Sequence, residues 1–324
     1  MHPMRIATWN VNSLKARLEK VEWWLERAAP DVLLMQETKL TDDDAPAMPF
    51  AMAGYDLLHH GEGRWNGVAL ATRRGLIVED VVTNFGDGPV RDSGPGATTG
   101  EDDFDPFHEA RMLAATIADP DAGANGGPGA SGPPGANAPP IRVVTLYAPN
   151  GRVVGSPFFA GKLAWYGRLR RWLDEAADPA RPLLIGGDFN IAPTDDDVWN
   201  AAAVHGGTHV SAEERTAFAG LLDWGLHDAY RARRDERGRF TWWDYRAGNF
   251  HKNFGMRIDH LLVTAPLLER LEWAEIDREA RKGKPIPSDH APLLADFDAP
   301  GRPIDAGWAE AGDRIAARSG YRPG

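Results

Sequence analysis

Cysteine is absent from all 324 residues. That excludes disulfides, zinc–thiolate sites and cysteine nucleophiles, and it confines any bound metal to oxygen or imidazole ligands. Nowhere does an apolar run approach the roughly 20 residues needed to cross a bilayer, and the first residues lead into a mixed segment without a signal-type apolar stretch. The expectation is a cytoplasmic protein that does not enter membranes. A basic balance is missing too: the net charge is −11, which argues against a protein that coats nucleic acid through overall positive charge. With 43% hydrophobic and 26% charged residues, the chain has enough apolar content for a sizeable core.

Charge is unevenly placed. Acidic residues cluster at 42–44, 101–105 and 195–197, whereas 231–239, Arg246, Lys252, Arg257 and 278–284 make the later part locally basic. Such runs usually mark solvated faces. Two segments, about 86–108 and 119–140, are rich in Gly, Pro, Ala and Asp or Asn and cannot bury enough apolar surface to offset their ordering entropy. They are expected to be mobile surface insertions in one catalytic domain spanning 1–300, with 301–324 as a C-terminal extension. No internal repeat is visible.

Between the insertions, strand and helix signals alternate. Strands are expected near 5–10, 32–35, 55–60, 68–72, 77–83, 111–117, 142–147, 183–188, 257–263, 270–276 and 291–297. Leu14, Leu18, Val21, Leu25 and Ala28 recur at helical spacing behind a cap at Asn12 or Ser13, and further helices fit 158–176 and 212–224. Several strands are joined too briefly for a helical crossover, so the sheets should be mixed or mostly antiparallel. The fold class that follows is α/β, with two packed sheets flanked by helices.

Polar residues gather at the strand ends: Asn10, Gln36-Glu37, Tyr147 to Asn150, Asp188-Phe189-Asn190, Asp259 and Ser288-Asp289-His290. Singly, these read as turn formers, caps, a core aromatic or a hydrogen-bonded structural histidine. Together they supply what hydrolysis of a phosphate ester requires: carboxylates for a hard cation, a group to activate water, and donors for the charge that develops on phosphate.

The segments WNVNSLKARL (9–18), QETK (36–39), NGVAL (66–70), YAPNG (147–151), GGDFNIAPTD (186–195), TWWDYR (241–246), GMRIDHLL (255–262) and PSDHAP (287–292) are similar, in order, to the motif series of the exonuclease III family within the endonuclease/exonuclease/phosphatase superfamily. The resemblance spans about residues 4–297 and implies a four-layered sandwich with the site at one end of the sheets. It implies an apurinic/apyrimidinic endonuclease and 3′–5′ exodeoxyribonuclease using Mg²⁺ or Mn²⁺ on double-stranded DNA with abasic sites or 3′ ends, as a monomer. In that resemblance Glu37 is the main metal ligand, with Asn10 beside it and Asp289 as a further carboxylate. Asp188, Asn190 and His290 belong to both the metal and the catalytic groups. Asp188 activates water or protonates the leaving oxygen, Asn190 orients it, Asp259 holds His290, and Tyr147 contacts the phosphate.

For DNA, Trp242, Trp243, Met256 and Phe250 resemble the family's wedge over an extruded sugar. Arg111, Asn150, Arg246, Lys252, Arg257 and Lys284 are expected at flanking nucleotides. Each tryptophan has core packing as its bland alternative. Asp195 to Asp197 read as helix caps and Asp228 as a structural position; the glycines at 206–207 break any helix aligning His205 with His209; His59, His60 and His251 show no partner constellation. The alternatives are another phosphoesterase of the superfamily, such as a non-specific deoxyribonuclease or a phosphatase, and a non-catalytic DNA-binding protein. The intact central set counts against the last.

Overall fold

The computed structural model describes residues 3–86, 106–120, 139–309 and 311. Most of both expected insertions, 87–105 and 121–138, lies outside the described residues, as do 310 and 312–324.

Twelve strands form two six-stranded sheets among the described residues. They are β1 (Met4–Asn10), β2 (Val32–Gln36), β3 (Tyr55–His60), β4 (Val68–Arg73), β5 (Ile77–Thr83), β6 (Met112–Ala118), β7 (Ile141–Tyr147), β8 (Leu183–Asp188), β9 (Leu226–Asp228), β10 (Asp259–Thr264), β11 (Leu271–Ile276) and β12 (Leu293–Phe297). The main helices are α1 (Leu14–Ala28), α2 (Ala47–Met52), α3 (Pro157–Ala176), α4 (Ala201–Val204) and α5 (Ala212–Asp223). Every expected strand and long helix is present within two residues at either end, and β9, α2 and α4, all short, are additions. None of the described helices is long and apolar enough to cross a membrane.

The sheet orders are β11-β12-β1-β2-β4-β3 and β5-β6-β7-β8-β10-β9. Each is built on one plan: a central parallel pair joined through a helix, β1-α1-β2 and β7-α3-β8, with two antiparallel strands on either side. The topology therefore repeats although the sequence does not. Parallel pairing sends both strands of each pair the same way, so their C-terminal ends share one edge of the sandwich.

Layering follows from the alternation of side chains along a strand. On β1 and β2, Ile6 and Leu34 face the second sheet, where they meet Leu113, Val143, Leu184 and Leu261 in the central core. Ala7, Trp9, Leu33 and Met35 face outward onto Trp24, Leu25 and Ala28 of α1. On the other side Val144, Leu146 and Ile185 pack under Trp165, Leu169 and Phe218 of α3 and α5. Ser13 caps α1 by accepting from the Ala16 amide, and Ser156 with Pro157 opens α3. The result is the expected four-layered sandwich.

Two features set the spacing between the sheets. A Cβ on Gly186 of β8 would lie 2.4 Å from Leu34 Cδ1 and 2.7 Å from Leu261 Cδ2, so glycine admits Leu34 from the opposite layer. Gln36 Nε2 donates across the gap to Thr145 Oγ1 at 2.9 Å, fixing the two layers polar group to polar group.

The chain beyond 300 is less separate than its composition suggests. Trp308 is buried, packs tilted against Trp243 with ring centroids 6.2 Å apart, and donates its indole N–H to the Ile276 carbonyl. One large aromatic is enough to tie this stretch to the core.

Candidate active site

The shared edge brings Asn10, Glu37, Tyr147 and Asp188 together. Asn10 ends β1 opposite Gln36, and Tyr147 ends β7 opposite Asp188. Asp259 opens β10 directly across from Asp188. His290 is delivered by an isolated bridge to Trp242. Buried Asn10 spans the sheets, its Nδ2 donating to Glu37 Oε1 at 2.9 Å and to Asp188 Oδ2 at 3.0 Å.

Backbone strain accompanies these positions. Glu37 has φ 51° and Asn190 φ 53°, in the left-handed region. Asparagine tolerates that region; glutamate rarely adopts it, and a residue held there is over-determined by its surroundings. The Glu37 loop is pinned by its own carbonyl, which accepts from the Ser13 amide, and by the Thr38 amide, which donates to Gly67. Behind it Thr38 Oγ1 and Asp42 flank His59 at 2.8 Å each, so His59 does have partners, as a brace and away from the cluster.

Glu37, Asp188 and His290 each offer one ligand atom within 4.8 Å of the others. Asn10 adds an amide, and the donor set is rich in oxygen, which fits a hard divalent cation. Lys39 Nζ lies 2.9 Å from Glu37 Oε2 and 2.7 Å from Asn12 Oδ1, so a cationic group already finds this corner favourable. Asp289 stands one step away, accepting from Asn12 Nδ2 at 2.8 Å and from Trp242 Nε1 at 3.1 Å.

Protonation states separate the groups. Burial, the Asp259 charge and nearby Glu37 push the Asp188 carboxyl up to about 7, against the pull of His290. Burial alone would lower His290, but the Asp259 carboxylate 2.8 Å from its Nδ1, with Asp188 and Asp289 nearby, raises it to about 10. His290 is thus a cationic donor at neutral pH, with Nε2 3.9 Å from Asp188. Burial and Glu37 raise the Tyr147 phenol well above its usual value and keep it protonated. Asn190 receives Asn150 Nδ2 on its side-chain oxygen at 3.1 Å and gives its own Nδ2 to Ala148, while its backbone N–H holds Asp188 Oδ1 at 2.9 Å.

The DNA-side expectations divide. Trp242 and Met256 are partly exposed and bridged to each other beside His290. Trp243 and Phe250 are core residues, both buried and in edge contact, so neither belongs to a wedge. Arg257 is a second correction: 1% exposed, it is spent on Asp197 and Asp228 at 2.8 and 2.6 Å and has no reach to phosphate. Arg111 is buried, paired with Glu109 and set 4.9 Å from the Tyr147 ring centroid. Arg246, Lys252 and Lys284 are exposed, Arg246 with Asp244 as partner. Asp197 accepts from the Thr194 amide at the start of its short helix, the capping role expected there, and Asp228 holds the Tyr230 and Arg231 amides and Arg257, a structural position.

Several contributors were invisible beforehand. Asn12 and Lys39 lie inside quoted motifs, two residues from Asn10 and Glu37, and that spacing was the available signal. Lys162 and Glu214, buried behind the Asn190 loop, gave none, because a charged residue on a helix looks solvated until the packing is known.

Comparison with known proteins agrees with this geometry. Residues 7–290 match the model of the Endonuclease/Exonuclease/phosphatase family. Exodeoxyribonuclease III of Haemophilus influenzae is 30% identical, covering 91% of this chain and all of that protein. Among solved structures, an AP endonuclease from Archaeoglobus fulgidus superposes with TM-score 0.75 at 31% identity, over 91% of this chain and 100% of its own. A 3′ phosphatase from Neisseria bound to product DNA hairpin does so with TM-score 0.73 at 35% identity, with the same coverage. With the sandwich, the strand-edge cluster and the motif order in agreement, the chain belongs to the endonuclease/exonuclease/phosphatase family, on its exodeoxyribonuclease III branch.

Proposed function

We propose that the protein is a divalent-metal-dependent DNA repair nuclease that hydrolyses phosphodiesters at abasic sites and 3′ ends. The observation that carries this reading is the Asn10 amide joining Glu37 of one sheet to Asp188 of the other, next to an imidazolium held by Asp259. Glu37, with Asn10 and Asp188, would hold Mg²⁺ or Mn²⁺. The ion, when bound, would neutralise phosphate oxygens and stabilise the leaving oxygen.

The chain's own groups supply the rest. Asp188, poised near neutrality, takes the proton of the attacking water. His290 presents Nε2–H to the phosphate, its orientation fixed by the Nδ1 bond to Asp259. Tyr147 gives its phenolic proton to a phosphate or leaving oxygen. Asn190 steadies Asp188 through its backbone N–H. Trp242 and Met256 bound the entrance, and Asn150, Arg246 and Lys284 meet flanking nucleotides, with Arg111 acting through Tyr147. Residues 1–300 act as one catalytic domain, monomeric and cytoplasmic; sedimentation and cell fractionation test these points.

A second reading, in which 3′ ends are processed and abasic sites spared, is favoured by His209. Its buried ring lies 6.4 Å from that of Trp242 and would narrow the entrance to an extruded sugar. The relative from Neisseria is described as a 3′ phosphatase. Duplexes carrying an abasic analogue, a recessed 3′ end or a 3′ phosphate, incubated with Mg²⁺ or with EDTA, test both readings. Cleavage at the abasic analogue supports the first; end processing alone supports the second; activity that persists in EDTA, or none on any duplex, sinks both.

A further inference from the structure

One cation is shut inside the outer layer. Lys162 of α3 and Glu214 of α5 are both fully buried and lie 2.5 Å apart, Nζ to Oε1. The ammonium also donates to the Asn190 carbonyl at 2.7 Å and reaches the Asn150 carbonyl at 3.3 Å. Glu214 in turn accepts from the His209 amide, the Thr208 hydroxyl and both donors of Ser211. His209 Nδ1 lies 2.6 Å from that same Asn190 carbonyl.

The surrounding backbone is bent to fit. Gly151, Asn190 and His209 have φ of 83°, 53° and 76°. A Cβ on Gly151 would stand 2.9 Å from Lys162 Cδ, so the loop closes directly over the lysine stem. Removing two charges from water is costly, and well-packed apolar residues of similar volume are commonly as stable or more so. Packing alone therefore does not account for the pair. What apolar residues cannot do is draw two loop carbonyls to one point.

We propose that Lys162, paired with Glu214, is a positioning residue for hydrolysis: it draws the Asn150 and Asn190 carbonyls together and, through the Asn190 amide, aims the Asp188 carboxylate. The inference rests on the nuclease reading above. The Lys162 ammonium bonds to Glu214 and to the Asn150 and Asn190 carbonyls, not to the Glu37–Asp188–His290 cluster; its effect passes along Asn190 N–H to Asp188 Oδ1, and along Asn150 Nδ2 to Asn190 Oδ1.

Lys162→Ala would strand Glu214 and risks unfolding, so the deciding protein is the double variant Lys162→Met/Glu214→Gln, which removes both charges and keeps an acceptor for the Ser211 cap. It should melt within about 3 °C of wild type. It should bind uncut duplex in EDTA normally and keep KM within twofold, while kcat per folded molecule drops about 10- to 100-fold. A folded double variant with kcat within twofold of wild type overturns the proposal, as does a loss carried by KM or DNA affinity. If the double variant cannot fold at all, the pair is a folding determinant and the proposal is likewise overturned. Absence of nuclease activity in wild type would instead remove the functional reading.

Discussion

His290 Nδ1 lies 2.8 Å from an Asp259 oxygen, and the other oxygen of that carboxylate has no protein partner. One buried carboxylate is therefore committed to one imidazole. Asp259→Asn keeps the shape but loses the charge that holds His290 protonated. It should lower kcat by about 100-fold or more while leaving duplex binding in EDTA intact. Single-turnover kinetics beside a binding isotherm check it, and an unchanged kcat would separate His290 from the chemistry.

The Asp188 carboxyl, raised to about 7, predicts a pH limb. A base works when deprotonated, so kcat/KM should rise with pH through neutrality. More Mg²⁺ should move that limb to lower pH, because a nearby cation favours the ionised form. The stability sign is opposite. A folded-state pKa above the unfolded value costs nothing below about 4, destabilises progressively as pH rises from there to about 7, and adds no further cost above that. Asp188→Asn should thus raise the melting temperature at pH 8 in EDTA and abolish cleavage; retained cleavage would remove Asp188 from the mechanism.

The paired tryptophans should separate cleanly. Trp243 is fully buried against Phe240, Phe250 and Trp308, so Trp243→Ala should cost about 3–5 kcal/mol in urea unfolding. Trp242, partly exposed and bonded to Asp289, should instead show its loss in activity on abasic duplex with a smaller change in stability. The reverse pattern would exchange their assignments.

Acid stability should depend on Arg257. Burial would raise the Asp197 carboxyl, but Arg257 and then Arg231 hold it at about 2. A folded-state pKa below the unfolded one stabilises above about pH 4, and that contribution, about 2 kcal/mol, fades as pH falls to 2. Asp197→Asn should flatten the unfolding curve in that window. Arg257→Met, which leaves Asp197 to Arg231 alone and takes the guanidinium from Asp228, should cost about 3–5 kcal/mol at pH 7.

The layers were legible in sequence because local signals carried them. Buried strands such as Val32–Gln36 announce themselves as short apolar runs, and α1 shows its stripe and cap within sixteen residues. The central site was legible for a related reason: its residues stand at strand ends, where polar groups interrupt apolar runs. Arg257 was misplaced because its partners, Asp197 and Asp228, are 60 and 29 residues away, and pairing at that range leaves no local trace. Trp243 and Phe250 failed likewise, since the partners that cover them inside, Trp308 and Arg278, are 65 and 28 residues away in sequence.

Glu37 hangs from one sheet and Asp188 from the other, so the reach between them is the thickness of a seam. At Gly186 that seam is closed tightly enough that a Cβ would lie 2.4 Å from Leu34 of the opposite layer. A single methyl there would act as a shim between two boards: no polar atom altered, no charge moved, yet Leu34 and Leu261 must give way where the layers meet. The tolerance of the chemistry is thus written into an apolar joint two strand positions from Asp188, where no reacting group stands.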